Sequence, residues 1–135
     1  MKKQINIFIS HSWSYSDKYE GVIKLLDKTN IDYKNYSVPK DDPIHNAKND
    51  KELYEAIDNK IKYTSVVLIL AGVYATYSKW IKNEIKIAKN RGKKIIAIEY
   101  WGSEKTSTTV KENADKIIKW QSSSLENAIK ELLGD

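Results

Sequence analysis

The sequence predicts an α/β domain built on a parallel β-sheet, and three observations carry that prediction. Two nearly continuous apolar runs of strand length, Val66-Val67-Leu68-Ile69-Leu70 and Ile95-Ile96-Ala97-Ile98, have the composition of strands covered on both faces, as happens when helices lie above and below a parallel sheet. Segments with apolar residues at strand spacing alternate along the chain with segments at helical spacing, the order that produces β-α-β crossovers. With 135 residues, 41% of them hydrophobic and 30% charged, and only 5 Gly and 2 Pro, the chain has the size and mixture of a single globular domain, 1–135.

Each element follows from its own pattern. Gln4 to Ile9 alternates around Ile5, Ile7 and Ile9, with Phe8 on the other face, and reads as a strand ending at Ser10. Ser16-Asp17 reads as a helix start, Tyr19, Val22, Ile23 and Leu26 fall at helical spacing, and Lys28-Thr29-Asn30 ends the run. Ile31 to Val38 is a second strand, poorer in apolar residues and so assigned to a sheet edge. Pro39 to Lys48 is a loop with both prolines, Asp41, Asp42 and His45. Asn49 and Glu52 stand in capping-box relation ahead of a helix whose buried stripe is Leu53, Ala56, Ile57 and Ile61. Ser65 to Ala71 is the central strand. A helix from about Ser78 to Asn90 follows, with Gly92 as its C-cap and Lys86, Lys89 and Arg91 complementing the helix dipole. Lys94 to Tyr100 is a fourth strand, a short helix fits the polar stretch after it, and Lys116 to Trp120 is a fifth, edge strand. The last helix starts at Ser123, with Glu126 three residues on, and buries Leu125, Ala128, Ile129, Leu132 and Leu133.

Short connections between parallel strands require right-handed crossovers, which place helices on both faces. The expected architecture is flavodoxin-like, a five-stranded parallel sheet in the order 2-1-3-4-5. A ligand of such a sheet sits at the carboxyl ends of the strands beside the switch point, so the informative loops begin at Ser10, Val38, Ala71 and Tyr100.

Composition excludes several classes of function. The chain has no Cys, which removes disulfides, thiol nucleophiles and cysteine-ligated metals and fits a reducing cytoplasm. Lys2 and Lys3 precede only Ile5-Asn6-Ile7-Phe8-Ile9, too short and too polar for a signal peptide, and Val66 to Ala75 is about half a membrane span, so no membrane role is expected. The net charge of +5 is spread along the chain without a nucleic-acid motif, and a nucleic-acid partner is not predicted.

The loops exclude more. A phosphoacceptor receiver needs acidic residues after the first and third strands to hold a divalent cation, but those places read Ser10-His11-Ser12 and Ala71-Gly72-Val73. A dinucleotide fingerprint needs glycines after the first strand, and none precedes Gly21. Ser10, Ser12, Ser14 and Ser16 supply hydroxyls for a flavin phosphate loop, but His11, Trp13 and Tyr15 make it bulky. His11 can be a general base, a metal ligand or a hydrogen-bonded loop histidine; with His45 the only other histidine, no metal site is expected. Trp13, Tyr15, Tyr74 and Tyr77 can stack on a base or fill core and rim. Asp41 and Asp42 read as turn residues, and the Lys86 to Lys94 cluster as a solvated helix end.

Glu84 stands out by position. The apolar stripe of its helix is Tyr77, Trp80, Ile81, Ile85 and Ala88, and Glu84 falls within it. At three and four residues its neighbours are Trp80, Ile81, Ile87 and Ala88, so no Lys or Arg stands at ion-pair spacing on the helix. Spacing leaves two readings open: a glutamate on the edge of the stripe that reaches solvent or a tertiary partner, or an active-site acid.

Phe8-Ile9-Ser10-His11-Ser12-Trp13, Tyr36-Ser37-Val38-Pro39 with Asp42-Pro43, Ser65 to Leu70, and Ser78-Lys79-Trp80-Ile81-Lys82-Asn83-Glu84-Ile85 together resemble the TIR-like domains of the Thoeris ThsB family. The resemblance covers about the first 100 residues, and Trp80-x-x-x-Glu84 is its most specific part. It implies the flavodoxin-like fold reached above and an NAD⁺-consuming enzyme, a glycohydrolase or cyclase that releases a cyclic or modified ADP-ribose signal in antiphage defence. NAD⁺ is then a substrate, with no cofactor and no metal. Glu84 is implied as the catalytic residue, with Ser10, His11, Ser12, Trp13, Pro39, Tyr77 and Trp80 around the substrate. The implied partners are NAD⁺, further copies of the chain through self-association, and a downstream effector reached by the diffusible nucleotide. The alternative from another class is a non-catalytic TIR-like signalling module acting through protein–protein contacts.

Overall fold

A computed structural model describes residues 4–10, 18–36, 50–71, 74–99 and 108–134. Among the described residues, five strands alternate with five helices: β1 (Ile5–Ile9), α1 (Lys18–Lys28), β2 (Tyr33–Asn35), α2 (Asp50–Ile61), β3 (Val66–Ala71), α3 (Tyr74–Asn90), β4 (Lys94–Glu99), α4 (Thr108–Asn113), β5 (Lys116–Lys119) and α5 (Ser122–Leu133). All neighbouring strands are parallel, in the order β2-β1-β3-β4-β5. This is the order the sequence predicts.

The two-residue period of the strands divides the core into two layers. Ile5, Ile7, Ile9, Val66, Leu68, Ile96 and Ile98 face α1 and α5, where they meet Val22, Leu25, Leu26, Leu125, Ala128 and Ile129. Phe8, Val67, Ile69, Ile95 and Ala97 face the other way, onto Ile57 and Ile61 of α2, Ile85, Ile87 and Ala88 of α3, and Val110 of α4. β3 and β4 are apolar on both sides because both sides are covered, the arrangement that produced their continuous runs. Among the described residues no helix is long and apolar enough to cross a membrane.

β1 and β3 each begin one residue later than expected, at Ile5 and Val66, and four elements differ further. β2 is Tyr33–Asn35, paired with Ile5, Asn6 and Ile7; Ser37 and Val38 of the expected strand lie outside the described residues, and its start is late because a hydroxyl turn occupies the chain before it. Thr29 Oγ1 donates to the Leu26 carbonyl at 2.7 Å and accepts from the Ile31 N–H at 3.2 Å, so Ile31 is bound in the turn that ends α1. α3 begins at Tyr74, about one turn before Ser78; no Gly or Pro interrupts Tyr74 to Ser78, and the serine is interior, not a cap. α5 begins at Ser122 with extended Gln121 as its N-cap, and no side chain caps it. Glu126 is engaged elsewhere: it accepts from the Asn30 N–H at 3.0 Å and from Lys130 Nζ at 2.7 Å, tying the end of α1 to α5. β5 ends at Lys119, leaving Trp120 outside the ladder.

Gly92 caps α3 as expected. Its φ of 68° is left-handed, the Lys93 N–H reaches the Ala88 carbonyl at 2.8 Å and the Gly92 N–H the Lys89 carbonyl at 3.2 Å, the two bonds of a Schellman motif. The expected caps at Ser16-Asp17 and Asn49, and the loop from Pro39 to Lys48, lie outside the described residues.

Candidate active site

Among the described residues, two polar side chains are buried at the carboxyl end of the sheet, those of Ser10 and Glu84, both with 0% exposure. Ser10 directly follows β1, and its N–H donates to the Leu68 carbonyl of β3 at 2.8 Å, extending the β1–β3 ladder by one step. The period of the strand puts Ser10 on the face of Phe8, which is the α3 face. Glu84 approaches from that helix. In α3 residues Glu84, Ile85, Ile87 and Ala88 are buried while Lys82, Lys86 and Lys89 are exposed, so the carboxylate lies within the packed arc of the helix.

The two meet across 74 positions of sequence: Ser10 Oγ donates to Glu84 Oε1 at 2.5 Å. That length is characteristic of a hydroxyl donating to a carboxylate. Taking a carboxylate out of water costs several kcal/mol, and the serine hydroxyl offsets part of it. Of the positions that spacing allowed, solvent is excluded for Glu84, and a tertiary partner is present. Its location is the carboxyl end of the paired strands β1 and β3, where the helix after β1 and the helix after β3 depart to opposite faces of the sheet. Such a switch point is where open α/β sheets bind ligands.

Tyr77 and Trp80 lie on α3 at seven and four residues before Glu84, on the same helical row by spacing. His11, Ser12, Trp13 and Pro39 lie outside the described residues, as do Asp41, Asp42 and His45. Glu99 is an acidic residue that no motif in the sequence marks. This last residue of β4 stands at the same end of the sheet, on the face of Ile95 and Ala97 by strand period, and accepts from Lys119 Nζ at 2.8 Å. Its only signal was position, an acid closing an apolar run. Among the described residues no three His, Asp or Glu gather in a way that could hold a metal ion.

The family model described as Thoeris protein ThsB, TIR-like domain, matches residues 8–105, from the end of β1 through Glu84 and past β4. Among solved structures, a Clostridium botulinum CMP N-glycosidase, BcmB, aligns with a TM-score of 0.55 at 17% identity, over 93% of this chain and 98% of that one. The N-terminal domain of a response regulator/sensory box/GGDEF 3-domain protein from Carboxydothermus hydrogenoformans aligns with a TM-score of 0.59 at 8% identity, over 98% and 94%. At these identities the two structures show the shared fold. No curated protein matches the chain.

Proposed function

The chain belongs to the Thoeris ThsB TIR-like domain family, and on that premise we propose that it is an enzyme that breaks the N-glycosidic bond between nicotinamide and ribose in NAD⁺. The observation that supports this reading best is the buried Glu84 carboxylate, held by Ser10 at the switch point of the sheet. That the same fold is found in a CMP N-glycosidase supports it at the level of architecture.

The chemistry suits so small a site. Nicotinamide in NAD⁺ is a cationic ring, and when its bond to C1 of the ribose breaks, the bonding pair neutralises it. The leaving group therefore needs no strong general acid. Positive charge develops on the ribose as oxocarbenium character, and a carboxylate in a water-poor crevice stabilises it directly or through the ribose hydroxyls. Water attacking C1 gives ADP-ribose; a group of the nucleotide itself attacking C1 gives a cyclic product. In this reading Tyr77 and Trp80, together with Ser12, Trp13, His11 and Pro39, border the substrate, and the product is a diffusible signal for a separate effector in antiphage defence. NAD⁺ is consumed as a substrate in the cytoplasm, and neither a metal nor a redox cofactor takes part.

The test is incubation of the protein, from cells with and without phage exposure, with NAD⁺, following nicotinamide, NAD⁺ and NADH by chromatography. Nicotinamide should appear in step with NAD⁺ lost, unchanged by a chelator and absent in Glu84→Gln. Activity lost on chelation and restored by one metal would overturn the metal-free mechanism. NADH without nicotinamide would replace the reading with a dehydrogenase, and an inert protein under both conditions would favour the non-catalytic signalling module.

A further inference from the structure

We propose that Ser10 is a positioning residue that acts through Glu84: its hydroxyl clamps Oε1 of the carboxylate so that Glu84 meets the ribose in a single orientation. This rests on the catalytic role proposed for Glu84. Both ends of the contact are anchored. The serine backbone is fixed by its bond to the Leu68 carbonyl, one step beyond Ile9 in the ladder, and α3 is fixed to the sheet by Ile85, Ile87 and Ala88. Between these fixed points the glutamate has three side-chain torsions. A 2.5 Å hydrogen bond from a group on the rigid sheet, in a place with no solvent exposure, selects one rotamer among those the helix alone allows.

The geometry also separates this role from direct substrate binding. A hydroxyl has one proton, and that of Ser10 is directed to Oε1; while the bond is in place it cannot donate to an oxygen of the substrate. Removing the clamp should then leave ground-state binding intact and misplace the group that stabilises the developing charge. Misplacement by about 1 Å is enough to reduce turnover on the order of a hundredfold.

The experiment compares the full chain with Ser10→Ala, Ser10→Cys and Ser10→Thr, measuring nicotinamide release over a range of NAD⁺ concentrations. The ¹³C signal of the Glu84 carboxyl carbon, assigned by its disappearance in Glu84→Gln, is recorded in parallel. In Ser10→Ala and Ser10→Cys, kcat should fall about 10- to 100-fold with KM within about twofold, and the carboxyl signal should shift or broaden. Ser10→Thr, which keeps the hydroxyl, should recover most of kcat and the parent signal. Ser10→Cys is close to serine in volume and serves if Ser10→Ala folds poorly. A raised KM with kcat retained would overturn the proposal in favour of direct contact with substrate. Unchanged kcat and KM would reduce Ser10 to a structural residue. If the parent chain itself releases no nicotinamide, the proposed function fails; the carboxyl signal then still decides the clamp, and its persistence unchanged in Ser10→Ala would overturn that too.

Discussion

Two contacts between distant elements have nearly the same length and opposite meanings. Ser10 and Glu84 meet at 2.5 Å at the carboxyl end of the sheet with no exposure to solvent. On the outer surface Asp58 of α2 meets Arg91, just past α3, through a fork of two bonds at 2.6 and 2.9 Å, with the arginine and aspartate side chains 39% and 28% exposed. The surface pair gains little, because water solvates both charges nearly as well apart as together. The buried carboxylate carries a desolvation cost that a well-packed apolar side chain would not. That cost does not by itself favour an acid at this position, and the proposed function, in which positive charge develops on the ribose, supplies a reason for one. Solvation and place in the fold decide what a short bond is for; its length does not.

The sharpest way to break this contrast is a pair of variants whose effects should cross. Glu84→Gln keeps the shape and an acceptor for Ser10 but removes the charge, so nicotinamide release should fall by at least about 10²-fold while the thermal midpoint stays close to that of the parent. Asp58→Asn should do the reverse, leaving turnover unchanged and lowering the midpoint slightly. Steady-state kinetics and thermal unfolding monitored by circular dichroism on the same preparations check both. Retained activity in Glu84→Gln, or lost activity in Asp58→Asn, would erase the distinction.

What could be read from the sequence follows the range of the interactions involved. β3, β4 and the Ile85 and Ala88 part of the α3 stripe were visible because each is a local run of apolar residues whose period reports its surroundings; their alternation gave the α/β class, and the order 2-1-3-4-5 was the architecture expected among those that class allows. Glu84 was visible as an interruption of that period. Its partner was not: the bond to Ser10 joins residues 74 apart, and no local spacing encodes it. The boundary errors have the same origin. Ser78 and the Ser123 to Glu126 spacing look like helix starts in isolation, but α3 already begins at Tyr74, and the Glu126 side chain is drawn to Asn30 and Lys130. For β2, the Thr29 turn captured Ile31, a residue whose side chain alone argued for strand.

A contact with no charge at all sets a scale between the two pairs. A Cβ added at Gly21 of α1 would come within 2.8 Å of Cζ2 and 3.3 Å of Cη2 of the Trp120 ring. Gly21→Ala therefore forces the indole to move. The strain of overpacking, about 1–3 kcal/mol, opposes a helix-propensity gain of about 1 kcal/mol for Gly→Ala. The net should be a loss of up to about 2 kcal/mol, with an altered Trp120 fluorescence spectrum and unchanged turnover, since α1 packs on the face of the sheet opposite Glu84. Combining it with Trp120→Ala should abolish the loss attributable to Gly21→Ala. A full penalty persisting in the double variant would assign it to some other contact.

The smallest expected effect is the pH dependence of the surface pair. The Asp58 carboxyl is held below its ordinary value chiefly by the hydrogen bond from Arg91; partial burial works the other way, and the charges of Arg91 and Lys62 add to the lowering. A carboxyl whose folded-state value is depressed stabilises the fold fully at pH values above its unfolded value, about 3.9, and loses that contribution as the pH falls through the lower folded value. The difference in thermal midpoint between the parent and Asp58→Asn should accordingly be constant from pH 7 down to about pH 5 and shrink toward zero below about pH 3. Because both side chains are solvated, the plateau should be no more than about 2–3 °C, and 1 M salt, with a Debye length of about 3 Å, should reduce it at neutral pH. A larger plateau that resists salt would mean that this pair behaves as a buried one, and the line drawn between it and Ser10–Glu84 would have to rest on position in the fold alone.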